Sequence, residues 1–300
     1  MAWRRRRLAH HRRRHDGRPI HDRGRAGYLA LSERRPLRLA FLADPNSVHT
    51  RRWIAWFAHA GHDVHLVDLF GTDLEPGLPD GVHMERAAGD LARLLRTLEP
   101  DVVHAHYVRR WGWQAARAGV HPLVVTPWGS DLLRTPWWGL RTRFWNRFAL
   151  RSADLITVSS EGMRRAAVNA GARAKRVELV NHGVDTTRFS PGPPRATMVE
   201  ADDAPIIVSP RTVRPLYRQE VVVDAVAAIT SSERRPLLVM SARGADPTTL
   251  AAVRERAAAR GIDDRLRILD DVAHDELPDL FRLADVVVSV PDTDSFPLTV

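Results

Sequence analysis

The stretch RLAFLADPNSVHTRRWIAWFAHAGHDVHLVDL (38–69) reads as strand, helix, strand. RLAFLAD (38–44) is a short apolar run of the buried-strand type. TRRWIAWFAHAG (50–61) repeats its apolar residues Trp53, Ile54, Trp56 and Phe57 at helical spacing and ends on Gly61, a helix C-cap. DVHLVDL (63–69) is strand-like again. Two buried-type strands joined by a crossover helix form a βαβ unit, and such a unit implies parallel pairing.

The same alternation continues outward. DLARLLRTLEP (90–100) is an amphipathic helix stopped by Pro100, and DVVHAHY (101–107), PLVVTPWG (122–129) and ADLITVSS (153–160) are strands each followed by a helix. RVELVNHGVD (176–185) closes this unit. PGPPRATMVEADDAP (191–205) is Pro-rich and poor in apolar residues, as expected of a linker. A second alternation follows: strands PIIVSP (205–210), RPLLVMSA (235–242), RLRILD (265–270) and DVVVSV (285–290), with helices near 219–230, 247–260 and 275–283. The expected fold is therefore α/β with two Rossmann-like parallel-sheet domains facing a cleft. The expected division is a tail at 1–35, an N-terminal domain at 36–190, a linker at 191–204 and a C-terminal domain at 205–300.

Composition narrows the function classes. The 300 residues are 44% hydrophobic and 27% charged, a globular balance with room for two cores. No apolar run reaches the ~18–20 residues needed to span a bilayer. There is no cysteine, hence no disulfide, thiolate metal site or cysteine nucleophile, which suits a reducing cytoplasm. The net charge of +9 belongs to residues 1–35, with twelve arginines against three acids, so the rest of the chain is neutral. That Arg-rich tail has no apolar core of a secretory signal, and its composition predicts disorder. It reads either as an arm for nucleic acid or an anionic membrane or as an unstructured extension, and no specific nucleic-acid partner is expected. Lys175 is the one lysine, a bias expected of a GC-rich, bacterial coding sequence.

In open parallel sheets, ligands sit beyond the carboxyl ends of the strands, where helix N-termini present free N–H groups. Polar residues collect at those ends here: Asp44–Thr50, His104–Tyr107, Trp128–Asp131, Ser159–Glu161, Asn181–Asp185, Ser209–Arg214 and Asp292–Leu298. A GxGxxG dinucleotide fingerprint and a P-loop are both missing, and no metal-ligand spacing is evident. His104 and His106 alternate at a strand end without an acidic cluster to complete a metal site.

SVHTRRW (47–53), PDVVHAHY (100–107), TPWGSDLL (126–133), SADLITVSSEGMRR (152–165), NHGVDTTRFSP (181–191), SPRTVRPLY (209–217) and HDELPDLFRLADVVVSVPDTDSFPL (274–298) together resemble family 4 retaining glycosyltransferases of GT-B fold, in order from about residue 36 to residue 300. The resemblance implies a nucleotide-diphosphate sugar held mainly by the second domain, an acceptor held mainly by the first, and no metal or other cofactor. The acceptor is a glycan or a lipid-linked sugar. Arg211 stands at the place of the diphosphate-binding arginine, where a guanidinium suits bidentate phosphate contact. The family's following lysine has no counterpart, and Arg214 or Arg218 is the candidate replacement. DSFPLTV (294–300) resembles the opening of an acidic donor motif. It offers Asp294 as the first, catalytic acid, with backbone N–H groups of Ser295, Phe296 and Leu298 toward the sugar and phosphate. The second acid would fall beyond Val300, so the second domain is expected to be incomplete.

Acceptor-side candidates are His49, Trp128, Gly129, Asp131 and His182. Trp128 occupies the place where many members of the family have a catalytic-site histidine. Asp131 reads either as a sugar contact or as the cap of a helix at 131–135, and Thr50 as a cleft residue or a plain helix cap. WWGLRTRFWNRFALR (137–151) interleaves aromatic residues with arginines. It reads as a peripheral contact with the inner face of an anionic membrane or as a core-packed helix with a solvated Arg face. Two alternatives to the transferase stay open: a non-catalytic truncated remnant, and a sugar-nucleotide epimerase of the same fold.

Overall fold

The computed structural model describes residues 35–87, 89–134, 139–193, 198–199, 204–229 and 235–296. The Arg-rich tail up to residue 34, most of the expected linker, Trp137, Trp138 and Leu298 lie outside the described residues. By compactness the chain divides into Met1–Val103 and His104–Val300.

The first unit holds strands β1 (Arg38–Leu42), β2 (Asp63–Asp68) and β3 (Val82–Arg86), with helices α1 (Val48–His59) and α2 (Leu91–Leu98). β1 pairs in parallel with β2, and β2 with β3. Leu39, Phe41, Ala43, Val64 and Leu66 alternate onto one sheet face and bury Ile54 of α1 against it. α1 begins two residues earlier than the sequence pattern suggests. Ser47 is its N-cap, so Thr50 lies inside the first turn, buried, and does not cap the helix. α2 starts at Asp90, whose carboxylate accepts from the Arg93 N–H at 2.9 Å. β3 was not expected from the sequence.

β4 (Val102–His106) crosses the boundary between the units. The second unit continues with a π segment (Tyr107–Gly112), α3 (Trp113–Ala118), β5 (Leu123–Thr126), α4 (Ser130–Leu133), α5 (Leu140–Ser152), β6 (Leu155–Val158), α6 (Glu161–Asn169) and β7 (Val177–Leu179). Then come β8 (Ile206–Ser209), α7 (Gln219–Ile229), β9 (Leu237–Ser241), α8 (Pro247–Ala259), β10 (Leu266–Leu269), α9 (Leu277–Leu283) and β11 (Val286–Val287). Side-chain caps start two further helices: Ser160 accepts from Met163 N–H, and Asp246 from Thr249 N–H with Pro247 at the first helical position.

Two sheets result. The seven-stranded sheet runs β3-β2-β1-β4-β5-β6-β7 and the four-stranded sheet β10-β9-β8-β11. Counted within its own sheet, each starts 3-2-1-4, the doubly wound order in which strand direction of travel reverses beside the first strand. The second sheet is apolar on both faces. Ile207, Leu238 and Met240 join one core, and Val208, Leu237 and Val239 the other. That double burial is why its strands read as continuous apolar runs. The expected fold class holds. The break between the sheets falls between Leu179 and Ile206.

Candidate functional site

The loop after β5 is organised by one buried carboxylate. Asp131, 3% exposed, accepts backbone N–H bonds from Val108 at 2.8 Å, Trp128 at 3.0 Å and Gly129 at 2.9 Å. Burial pushes this carboxyl above the usual carboxylate range, and the three N–H donors pull it back. Asn146 of α5 donates to the Asp131 carbonyl at 2.8 Å and ties the loop to the helix beneath it. The reading of Asp131 as the cap of a helix at 131–135 is thereby replaced. The carboxylate faces the backbone of its own loop and of the π segment at Val108, and the N-cap of α4 is Gly129. A short polar side chain next to a Gly is equally suited to capping, so nothing local distinguishes the inward turn.

Gly129 has φ +128°, a conformation side-chain-bearing residues rarely adopt. A Cβ there would lie 3.2 Å from Ser295 Cβ, so this glycine also permits close approach of the 294–296 segment. Beside it the Trp128 indole lies flat on the His182 imidazole, with centroids 4.9 Å apart and planes 2° from parallel. His182 in turn meets the Phe296 ring at 6.4 Å. On the inner side, His106 meets Trp128 edge-on at 5.3 Å and His104 at 5.0 Å. His104 is fully enclosed, bonded through Nε2 to Thr126 Oγ1 at 2.7 Å, and its imidazole pKa is pushed down to about 3 by desolvation. It is neutral at any physiological pH. The sequence places His104 and His106 among the polar strand-end residues and gives them no metal partner; their part in an aromatic column comes from strand alternation, which puts both rings on one side of β4.

The second sheet contributes from its switch point, between β8 and β11. Arg211, two residues past β8, pairs with Asp294 at 2.7 Å, both side chains under a fifth exposed. The Arg211 guanidinium also sits 4.3 Å over the Tyr217 ring. Gln219, wholly buried at the start of α7, donates to the carbonyls of Arg211 and Thr212 and fixes the loop. Arg214 is exposed and donates to the Gly244 carbonyl at 3.0 Å, while Arg218 reaches Asp292 at 3.3 Å. Ser295 N–H is turned onto the Asp294 carboxylate at 2.7 Å.

The structure thus brings Trp128, Gly129, His182, Ser295 and Phe296 together and pairs Arg211 with Asp294. Arg214 faces away onto the 244 turn. His49 sits half-buried in the first turn of α1, in the other unit. Among the described residues, no group of three or more His, Asp or Glu side chains is arranged to hold a metal ion.

Comparison with known proteins bears on this geometry. Residues 46–188 match the model of the family described as Glycosyltransferase Family 4. A D-inositol 3-phosphate glycosyltransferase of Streptosporangium roseum is 27% identical over 242 residues, covering 70% of this chain and 54% of that protein. A second protein of that description, from Catenulispora acidiphila, is 34% identical over 140 residues, 43% of this chain and 32% of that protein. The chain spans about a third to a half of the length of these relatives. Among solved structures, a sucrose-phosphate synthase from Thermosynechococcus elongatus superposes with a TM-score of 0.73 at 17% identity, over 88% of this chain and 77% of that one. The Anabaena protein HepE, solved with UDP and glucose, gives 0.67 at 16% identity, over 85% of this chain and 74% of that one. These likenesses establish the fold, the GT-B arrangement of two parallel sheets.

Proposed function

We propose that the chain is a family 4 glycosyltransferase. It moves a sugar from a nucleotide-diphosphate donor to a carbohydrate or lipid-linked acceptor, with retention, on the cytoplasmic side. One observation carries the reading: strand-end loops of both sheets meet within residues 104–300, with Gly129 against Ser295 and Trp128 stacked on His182 beside Phe296. The match over 46–188 and the UDP-bound likeness support it.

In this reading the Arg211–Asp294 pair is a resting contact. A diphosphate offers the guanidinium two oxygens in place of one carboxylate, and bidentate charge-assisted bonds are the stronger kind. Releasing Asp294 frees a carboxylate to accept from a hydroxyl of the transferred sugar. Charge on the leaving diphosphate is then offset by guanidinium groups and backbone N–H donors, as the resemblance implies. The transfer breaks the bond between the anomeric carbon and the diphosphate oxygen. The acceptor oxygen bonds to the same face of that carbon, and its proton passes to the departing diphosphate. Trp128 cannot take a proton, so the indole serves as a wall, and the stacked His182 is the candidate on its outer side to exchange one.

Calorimetric titration of the full chain with UDP, GDP and ADP tests the reading. At least one should bind, and Arg211→Ala should weaken it about tenfold or more while leaving the fold intact. Absence of binding by all three at about millimolar concentration defeats the proposal, since weaker affinity would be worth less than about 4 kcal/mol. Where a donor and acceptor pair is found, the anomeric configuration of the product read by NMR decides retention.

A further inference from the structure

Helix α5 has a face that neither sheet uses. Its inward side buries Asn146, Ala149 and Leu150. Its outward side carries Leu140 at 81% exposure, Phe144 at 62% and Phe148 at 38%. These three are spaced four residues apart and form one stripe. Arg143, Arg147 and Arg151 are exposed on the same side of the helix. The aromatic residues are not loose. Trp113 of α3 meets Phe148 at 5.2 Å, Trp145 at 5.6 Å and Phe144 at 6.5 Å, so the stripe stands on a firm base. From residue 102 to residue 153 the chain has eight arginines and one acid, and that acid, Asp131, is buried. Helix α5 itself carries four arginines and no acid, so its outward face is positive.

We propose that this face seats the protein on an anionic lipid bilayer. Water is a poor partner for Leu140 and Phe144, and arginines flanking an apolar stripe are the pattern of an in-plane interfacial helix. Apolar side chains enter the acyl boundary while the guanidinium groups stay among headgroup phosphates. A second copy of the chain does not fit as well. Two-fold pairing would set arginines against arginines with no acid between them. A nucleic acid would satisfy the charge and leave Leu140 exposed. Among the described residues no helix is long and apolar enough to cross a membrane, so the contact is made at the surface. The proposal does not depend on sugar transfer.

The test is co-sedimentation of the full chain with phosphatidylglycerol-containing vesicles and with pure phosphatidylcholine vesicles, at low salt and at about 1 M, where the screening length falls to about 3 Å. Binding should need the anionic lipid and fall with salt. Leu140→Ser with Phe144→Ser should lower the bound fraction about tenfold, and Arg143→Glu with Arg151→Glu at least as much. Residues 1–35 are common to every variant, so differences between variants report the helix alone. Leu140→Ser by itself, at a position in open solvent, keeps the test valid if the double variant unfolds. Unchanged vesicle binding in the folded variants overturns the proposal. Equal binding to neutral vesicles does so too. So does a dimer on size exclusion that is lost with Leu140→Ser, or affinity for duplex DNA that tracks the arginines and ignores Leu140. Nucleotide titration of the same variants should be unaltered, which separates this outcome from failure of the transferase reading.

Discussion

The loop after β5 and the loop after β8 both leave a parallel strand toward the same region and both rest on a buried polar side chain, Asp131 and Gln219, yet the second also carries an ion pair at its mouth. The first is locked from inside. One buried carboxylate, Asp131, accepts from three backbone N–H groups and has its own carbonyl bonded to Asn146. The second is closed by a charge pair, Arg211 with Asp294, across its opening. An internal lock sets the shape before any ligand arrives. A charge pair at the mouth can be exchanged for a better anion. A binding site gains from both, since a rigid wall preorganises and a removable pair gives selectivity for charge.

The comparison breaks most readily at the lock. Asp131→Ala leaves three inward N–H groups without their acceptor. The expected loss is about 3 kcal/mol of stability, read as a lower urea midpoint with an unchanged slope. A loss below about 1 kcal/mol would mean the loop is held by other contacts and that the two loops differ less than their geometry suggests.

The next test is pH. His104 has a folded pKa of about 3 against 6.5 when exposed, so between these values the unfolded chain takes the proton and the folded chain does not. Its contribution is complete above about pH 6.5 and declines as pH falls toward 3, at about 1.4 kcal/mol per unit. Denaturant melts of wild type and His104→Gln should therefore diverge by roughly 2 kcal/mol from pH 6.5 to pH 5, the variant being the flatter. Parallel curves would show that the inner end of the aromatic column admits water.

The smallest effect is at the outer end. A double-mutant cycle on Trp128→Ala and His182→Ala should give a coupling of about 1 kcal/mol for the stacked pair. Coupling near zero would place the stack among contacts of shape rather than energy.

Much of the fold was legible in the residues. Buried parallel strands announce themselves as apolar runs, and helices between them by spacing and by caps such as Asp90 and Ser160. β3 was missed because VHMER is short and half-exposed, and its apolar–polar alternation rests on Val82 and Met84 alone. The π segment was missed because i→i+5 bonding has no side-chain signature in YVRRWG. At the site, the resemblance named strand-end segments that the structure brings together, 128–129, 182 and 294–296, yet two assignments needed three dimensions. Thr50 and Asp131 are both plausible caps by residue type, and both are buried inside the turn instead. The stack of Trp128 on His182 joins positions far apart in the chain, and no local pattern could pair them. The exposed stripe on α5 was half visible. Its arginines and aromatic residues were plain, but which of them face solvent depends on Trp113, contributed by another helix.

The π segment has one further consequence. A turn that closes five residues along holds one residue more than an α-helical turn would. Tyr107 opens it with a positive φ of 64°, and Gly112 ends it where a Cβ would meet the Tyr107 carbonyl at 3.0 Å. The surplus residue works as a spacer. It fixes the angular phase at which α3 starts, and with it the direction in which Trp113 leaves the helix. The base beneath the α5 stripe is thus set by a count of residues upstream, a form of information carried by chain length rather than by any side chain.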